Sequence, residues 1–226
     1  MPAWEMHIAV ANKVNEVLNK DEELFIFGNI MPDNEGWIIE NPSNKVLYKY
    51  SHFAKNGIEG VKEVLPDYKE FIKKYQNKFN NPLVLGYLSH LLTDFYWNRL
   101  TFKNYYIKDE NGDSIGIRLN TNKEYICSKD ERRTIKQKDF KNYSNYLVNN
   151  NMVEVPKFNI DKIKENVNNI EEVILNREDI MKTVEYIKNI NEKRDYNKEY
   201  KVFNEDIFNE EFEKCVQFVI NEIRKL

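Results

Sequence analysis

One segment of the chain, Leu83 to Leu100, is apolar on nearly every side and therefore constrains where the core must lie. Its sequence, LVLGYLSHLLTDFYWNRL, predicts a helix that is buried almost all round. Asn81 precedes it as a candidate N-cap, and Pro82 suits the first helical position because proline has no N–H to leave unpaired. The sequence thus predicts a central helix covered by its neighbours.

Two polar side chains interrupt this apolar helix one turn apart. His90 and Asp94 present an imidazole and a carboxylate on the same helical face. An ionised carboxylate left alone in an apolar core would cost many kcal/mol, so Asp94 is expected to be paired, to bind a cation or to stay protonated. A plain His–Asp hydrogen bond and a metal site are equally consistent with this spacing taken alone.

Three further residues of the same chemical type occur nearer the start of the chain. His7 falls on the apolar stripe of a helix predicted over residues 3–19 and should face the interior, where a lone histidine is more often a satisfied core residue than a ligand. Asp33 ends the mainly apolar run FIFGNIMPD and is expected at the head of a loop, where an aspartate often only caps a turn. His52, in YKYSHF, would usually be solvated. Each signal is weak by itself.

The ordered set of these five residues resembles the zinc-dependent phospholipase C family, which also includes relatives of the fungal single-strand nucleases. The resemblance is carried by WEMH, GNIMPD, SHF and GYLSHLLTDFYWN, within about the first hundred residues. In that family a loop Asp, a loop His and the His and Asp of an H-x-x-x-D helix surround one zinc. An N-terminal His joins a neighbouring metal, with the helix Asp as bridge. The resemblance therefore implies one metal held by Asp33, His52, His90 and Asp94, and a second by His7 and Asp94.

The donor set also makes chemical sense without the resemblance. Two imidazoles and two carboxylates suit zinc, with manganese or iron as substitutes, and such a site can keep a position open for water. Metals in such sites activate water for attack on a phosphodiester, and Asp33 would orient or deprotonate that water. Asn98, one turn beyond Asp94, is expected to orient that carboxylate by hydrogen bonding. The predicted activity is hydrolysis of a phosphoester, of phospholipase C type, on a lipid or small-molecule phosphodiester.

The chain also departs from the family pattern. Family members carry a second His pair and a Glu downstream, whereas no histidine occurs here between Leu91 and Leu226. One or two metals are therefore expected rather than three. One rival interpretation is another class of metal phosphohydrolase built on histidine and aspartate helices, which the lack of a contiguous His-Asp dipeptide disfavours. The other is a catalytically inactive, metal-stapled helical module that binds a ligand or partner. The acidic residues that could replace the missing ligands cannot be ranked from sequence: Asp109, Asp113, Glu124 and Asp130.

Composition limits the fold class. A chain of 226 residues with 41% hydrophobic residues can build one substantial core, so a single domain over residues 1–226 is expected. The resemblance implies that this domain is all-α and phospholipase-C-like. Further helices are predicted over Asp67–Phe79, Lys129–Asn149, Asp161–Ile174, Arg177–Lys193 and Asn204–Leu226, with Asp161 and Asn204 as N-caps.

One irregular region stands out among the predicted helices. Residues Tyr105 to Leu119 alternate in polarity around Asn111 and Gly112, which predicts a β-hairpin that would cover the site as a flap. The aromatic residues near the motifs are expected mostly to pack in the core or at its rim: Trp4, Trp37, Tyr87, Tyr96 and Trp97.

Charge and hydropathy limit the partners. The formal net charge of −3 gives no overall electrostatic case for nucleic acid or an anionic membrane, so a nucleic acid partner is not expected. The most basic stretch, ERRTIKQK from Glu131 to Lys138, is expected to be a solvated helix face. No stretch approaches the ~18 apolar residues of a spanning helix, and the start lacks a secretion signal, so a cytoplasmic location is expected.

Overall fold

The computed structural model describes residues 2–34 and 47–226, so Trp37 lies outside the described residues. The fold is mainly α-helical with one small sheet, as the sequence predicts. Within the described residues, no helix combines the length and the apolar character needed to cross a membrane. The helices are α1 Trp4–Leu18, α2 Glu22–Ile30, α3 Tyr48–Ser51, α4 Tyr68–Tyr75, α5 Pro82–Asn104, α6 Lys129–Asn149, α7 Ile160–Val167, α8 Arg177–Ile187 and α9 Glu205–Ile223, and the strands are β1 Tyr106–Lys108, β2 Ser114–Arg118 and β3 Glu124–Ile126.

Helix α5 is the centre of the molecule. The side chain of Asn81 accepts a hydrogen bond from the Leu83 N–H at 2.9 Å, and Pro82 opens the helix, as predicted. Every residue from Leu83 to Asn98 is buried, because α1, α2, α4 and α9 all pack against α5. The aromatic residues Tyr87 and Trp97 lie fully inside this core.

Two glycines let α2 and α5 approach unusually closely. A Cβ on Gly28 would lie 2.0 Å from the carbonyl oxygen of Leu83, and a Cβ on Gly86 would lie 2.0 Å from that of Phe25. Only glycine therefore fits at these two positions of the crossing. The close approach brings the end of α2 against the middle of α5, where His90 lies.

The sheet is larger than the predicted hairpin. Strands β1 and β2 pair antiparallel around Gly112, which has a φ of +79°, so the predicted hairpin is present. A third strand, β3, pairs antiparallel with β2 and was missed, because its three residues are all exposed and give no alternating pattern. The side chains of Tyr106 and Ser114 line the same cleft as His52, which makes the hairpin one wall of that cleft.

Several predicted helices are shorter in the structure. The helix predicted over 161–174 begins one residue earlier, is capped by Asn159 instead of Asp161, and ends at Val167. The helix predicted over 177–193 ends at Ile187. Both end where asparagines cluster, because asparagine side chains compete with the helical backbone for hydrogen bonds. The helix predicted over 67–79 ends at Tyr75, whereas Asn204 caps α9 as expected.

Candidate metal centre

Helix α5 places His90 and Asp94 in the core with no exposed surface. The Nδ1 atom of His90 lies 2.7 Å from the backbone carbonyl oxygen of Asn29, near the end of α2. A carbonyl can only accept, so Nδ1 carries the proton and Nε2 presents a lone pair. The glycine crossing of α2 and α5 therefore determines which nitrogen of His90 is available as a ligand.

Helix α1 places His7 against His90. The two rings are stacked, with centroids 3.9 Å apart and planes 7° from parallel. His7 Nε2 lies 3.4 Å from Asp94 Oδ1, and within the described residues neither atom has a hydrogen-bond partner of good geometry. With its amide oriented to satisfy both neighbours, Asn29 donates to the His7 carbonyl at 3.1 Å and accepts from the His90 N–H at 3.2 Å. One buried amide thus links the backbones of both histidines.

Asp33 and His52 complete the cluster from the open side. Asp33 ends a short 3-10 turn, Met31–Asp33, that continues directly from α2, and α2 itself includes Gly28 and Asn29. His52 follows α3, and its Nδ1 lies 2.8 Å from Ser51 Oγ. This contact leaves His52 Nε2 directed at the cluster.

The Nε2 atom of His52 lies close to donor atoms of three other residues of the cluster. It lies 3.0 Å from His90 Nε2, 3.4 Å from Asp33 Oδ1 and 3.5 Å from Asp94 Oδ2. Ligand atoms about 2.0–2.1 Å from a tetrahedral zinc are separated by about 3.3–3.4 Å, so these spacings suit one ion between them. The 3.0 Å approach of His52 Nε2 to His90 Nε2 is favourable when a proton or a cation lies between the two atoms.

The donors form two overlapping groups. The ligand atoms of Asp33, His52 and His90 lie within 4.8 Å of one another, and so do those of His7, His90 and Asp94. The carboxylate of Asp94 faces His7 with one oxygen and His52 with the other. The five residues selected from sequence are therefore brought together, in an arrangement able to hold a metal ion.

The protonation states of His90, Asp33 and Asp94 suit metal binding. Burial, reinforced by the neighbouring His7, lowers the pKa of His90 to about 3, so the imidazole is neutral at pH 7. Burial opposes ionisation of the carboxyls, but the adjacent imidazoles outweigh it and hold the pKa values of Asp33 and Asp94 below their usual range. Burial and the charge of Asp94 raise the pKa of Tyr48, which stays protonated and lies 3.5 Å from Asp94 Oδ2.

The cluster opens into a cleft of about 690 Å³. Asp33 and His52 line this cleft, whereas His7 and Asp94 lie behind them. The side chain of Asp33 is 16% exposed and that of His52 is 1% exposed, so Asp33 offers the main polar surface of the cluster to a ligand. Such a cleft is within the usual size of a small-molecule site.

The basic stretch of α6 is only in part the solvated face expected from sequence, since Arg133 and Lys138 are exposed but two other cations are not. Arg132 and Lys136 are buried, at 6% and 4% exposure, and both line the cleft. They share a helical stripe with Phe140 and Tyr143, which pack in the core and draw the two cations inward. Lys136 Nζ donates to Asn98 Oδ1 at 3.3 Å. Asn98, expected to orient Asp94, thus carries a contact that the sequence did not indicate.

The acidic residues considered as substitutes for the missing histidines do not join the cluster. Among the described residues, they appear in neither group of ligand atoms. Asp113 lines the cleft but pairs with Lys62 at 3.0 Å, and Glu124 pairs with Arg118 at 3.4 Å. Asp109 accepts from the backbone within its own turn, and Asp130 is exposed at the start of α6.

Comparisons with known proteins do not identify the chain. No family model matches it, and neither does any curated protein or solved structure. The resemblance to the zinc-dependent phospholipase C family therefore remains a prediction that depends on the motifs themselves.

Proposed function

We propose that this protein is a metal-dependent phosphoester hydrolase of phospholipase C type, with zinc as its metal and manganese or iron as alternatives. One observation carries the proposal. A compact cluster of three imidazoles and two carboxylates opens through Asp33 and His52 into a cleft with a cationic wall. Metal ligands at the base of such a cleft suit an anionic substrate.

The burial of each residue indicates its role in the proposed reaction. Asp33, His52, His90 and Asp94 would hold one ion, and His7 with Asp94 would hold another. A divalent ion bound there supplies Lewis acidity and lowers the pKa of a water molecule. Asp33 is the carboxylate of the cluster with surface in the cleft, so it would orient that water or accept its proton.

The direct test is metal-dependent hydrolysis of bis(4-nitrophenyl) phosphate. We expect turnover with one or two equivalents of zinc, and a fall in kcat of about 100-fold or more in Asp33→Asn. Asp130→Asn, at an exposed position on α6, is the matched control and should keep wild-type kcat. Absence of turnover of this and other phosphodiesters by metal-loaded protein would refute the proposal.

A second candidate is a metal-stapled binding module without catalysis. The observation that favours it is the complete burial of His7, His90 and Asp94, since closed sites are typical of structural metals. This candidate predicts that metal raises the free energy of unfolding while every phosphodiester stays intact. The hydrolase predicts both stabilisation and turnover, so the two assays together separate the candidates.

A further inference from the structure

Two buried cations occupy one wall of the cleft. Arg132 and Lys136 lie one turn apart on α6, and both are more than nine-tenths buried. Like charges at this spacing repel each other, and a buried charge is costly unless it is paired. A bound anion would compensate the charge of this pair.

The contacts of Arg132 leave its charge without a carboxylate. Its Nη1 donates to the Cys127 carbonyl at 2.6 Å, and the guanidinium lies over the ring of Tyr106 at 5.3 Å. Within residues 2–34 and 47–226, Nε has no hydrogen-bond partner and the side chain forms no ion pair. These contacts fix the orientation of the guanidinium and leave donors for a ligand.

The contacts of Lys136 are equally incomplete. Its ammonium donates to Asn98 and lies 5.1 Å from the ring of Phe102, and no ion pair joins it to a carboxylate in the described part of the chain. Elsewhere along the cleft, by contrast, Lys62 is paired with Asp113, and the lining residue Glu63 is paired with Lys108. Among the described residues that line the cleft, the cations without a carboxylate partner thus lie on α6.

The position of Lys136 connects this charge to the metal centre. Its partner Asn98 follows Asp94 by one turn of α5, and Asp33 and His52 line the same cleft. The two cations and the exposed carboxylate of the metal centre therefore face one shared cleft. Burial lowers the pKa of Lys136 to about 8, which still leaves most of the ammonium charged at pH 7.

We propose that Arg132 and Lys136 form an anion subsite that binds a phosphate group of the ligand beside the metal centre. A guanidinium fork and an ammonium are the two side-chain groups best suited to phosphate oxygens. Such a subsite would select ligands with an anionic group over zwitterionic or cationic ones. For the reaction itself, this proposal rests on the proposed function. Phosphate binding at the subsite does not itself require turnover.

The test is titration of inorganic phosphate into the whole chain by calorimetry, with metal bound and after chelation. Arg132→Met and Lys136→Met should each weaken phosphate binding about 10-fold or more in both states. Lys138→Met removes one charge from the same helix at an exposed position outside the cleft and should change Kd less than about 2-fold. Arg132→Lys should retain more affinity than Arg132→Met, because it keeps the positive charge.

Two results would overturn the subsite. One is no phosphate binding by the wild type in either state. The other is binding that requires metal and is unchanged in both methionine variants, which would place phosphate on the metal alone and leave the proposed function intact. Urea denaturation midpoints check that the variants are folded. Lys136→Met should unfold at the same or a higher urea concentration than wild type.

The source of the phosphate group is distinguished by a competition experiment. Short-chain phosphatidic acid that displaces inorganic phosphate from the subsite would indicate a lipid headgroup, and failure to displace it would indicate a soluble phosphate compound. Equal displacement by phosphatidylcholine, which has no net charge, would contradict a subsite that selects for negative charge.

Discussion

Single hydrogen bonds determine which atoms of the cluster face a metal. The backbone carbonyl of Asn29 fixes the proton on Nδ1 of His90, and the hydroxyl of Ser51 lies against Nδ1 of His52. Partners of this kind orient a ligand ring and tune its basicity, and their loss usually costs about 10–100-fold in metal affinity. The cluster is therefore specified by neighbours as well as by its five donors.

Ser51→Ala tests this dependence. Removal of the hydroxyl frees His52 to rotate and to change tautomer, so we expect zinc affinity to fall about 10–100-fold in competition with a chromogenic chelator. The matched control is Ser144→Ala, since Ser144 is buried in α6 and its hydroxyl has no partner in the described residues. Equal affinities in both variants would show that Ser51 does not orient the ligand.

Sequence reasoning found the five donors because polar residues stand out where a helix or a turn is otherwise apolar. It did not find Asn29, because the direction of a backbone carbonyl depends on how two helices cross. It also placed Arg132 and Lys136 on a solvated face. Their spacing from Phe140 and Tyr143 contained the signal, since all four share one helical stripe.

At the scale of elements, the crossing of α2 and α5 supports the centre. Gly86 packs against the carbonyl of Phe25, one turn before Asn29. The sequence predicts α5 well because its apolar character and its N-terminal Asn-Pro pair point the same way. It could not predict this crossing, since an isolated glycine in a helix is ambiguous until its neighbour is known.

Gly86→Ala tests the crossing. Alanine favours a helix over glycine by about 1 kcal/mol, so any loss of stability must come from the contact with Phe25. We expect the free energy of unfolding to fall by about 3 kcal/mol or more, because a backbone carbonyl cannot move aside easily. Urea denaturation of metal-free protein measures it, and unchanged or increased stability would contradict the close approach.

One carboxylate also holds in place the segment that leads into α9. Asp139 on α6 accepts hydrogen bonds from the backbone N–H groups of Lys201, Val202 and Phe203, just before α9. Asp139→Ala should lower the free energy of unfolding by about 2–4 kcal/mol, because it leaves buried donors unpaired. Asp195→Ala, at an exposed position, should change it by less than about 0.5 kcal/mol. A similar small effect of both variants would show that this anchor is unimportant.

At the scale of the whole molecule, Lys136 is a buried cation that forms no ion pair within the described residues, and the free-energy cost of burying its charge depends on pH. Burial is the main reason that the pKa of Lys136 is about 8 in the folded protein, against an ordinary value of 10.5 for lysine. Asp94 opposes this shift and Arg133 adds to it. Between these pH values the unfolded chain binds more protons at this position than the folded chain, so the contribution of Lys136 to stability rises with pH.

Lys136→Met tests this linkage. The variant should be more stable than wild type by up to about 3 kcal/mol below pH 8, and the difference should shrink as pH rises towards 10.5. Urea denaturation of chelator-treated protein at several pH values measures the difference. A difference that is constant with pH, or that grows with it, would contradict a buried ammonium of lowered pKa.

The central claim is that the cluster of His7, Asp33, His52, His90 and Asp94 binds metal. Elemental analysis of protein purified without chelators or a histidine tag tests it most directly, with Asp94→Asn as the comparison because Asp94 faces both His7 and His52. We expect one or two equivalents of zinc, manganese or iron per wild-type chain and a marked loss in the variant. A wild-type protein that contains no metal and takes up none on titration would rule out this metal centre.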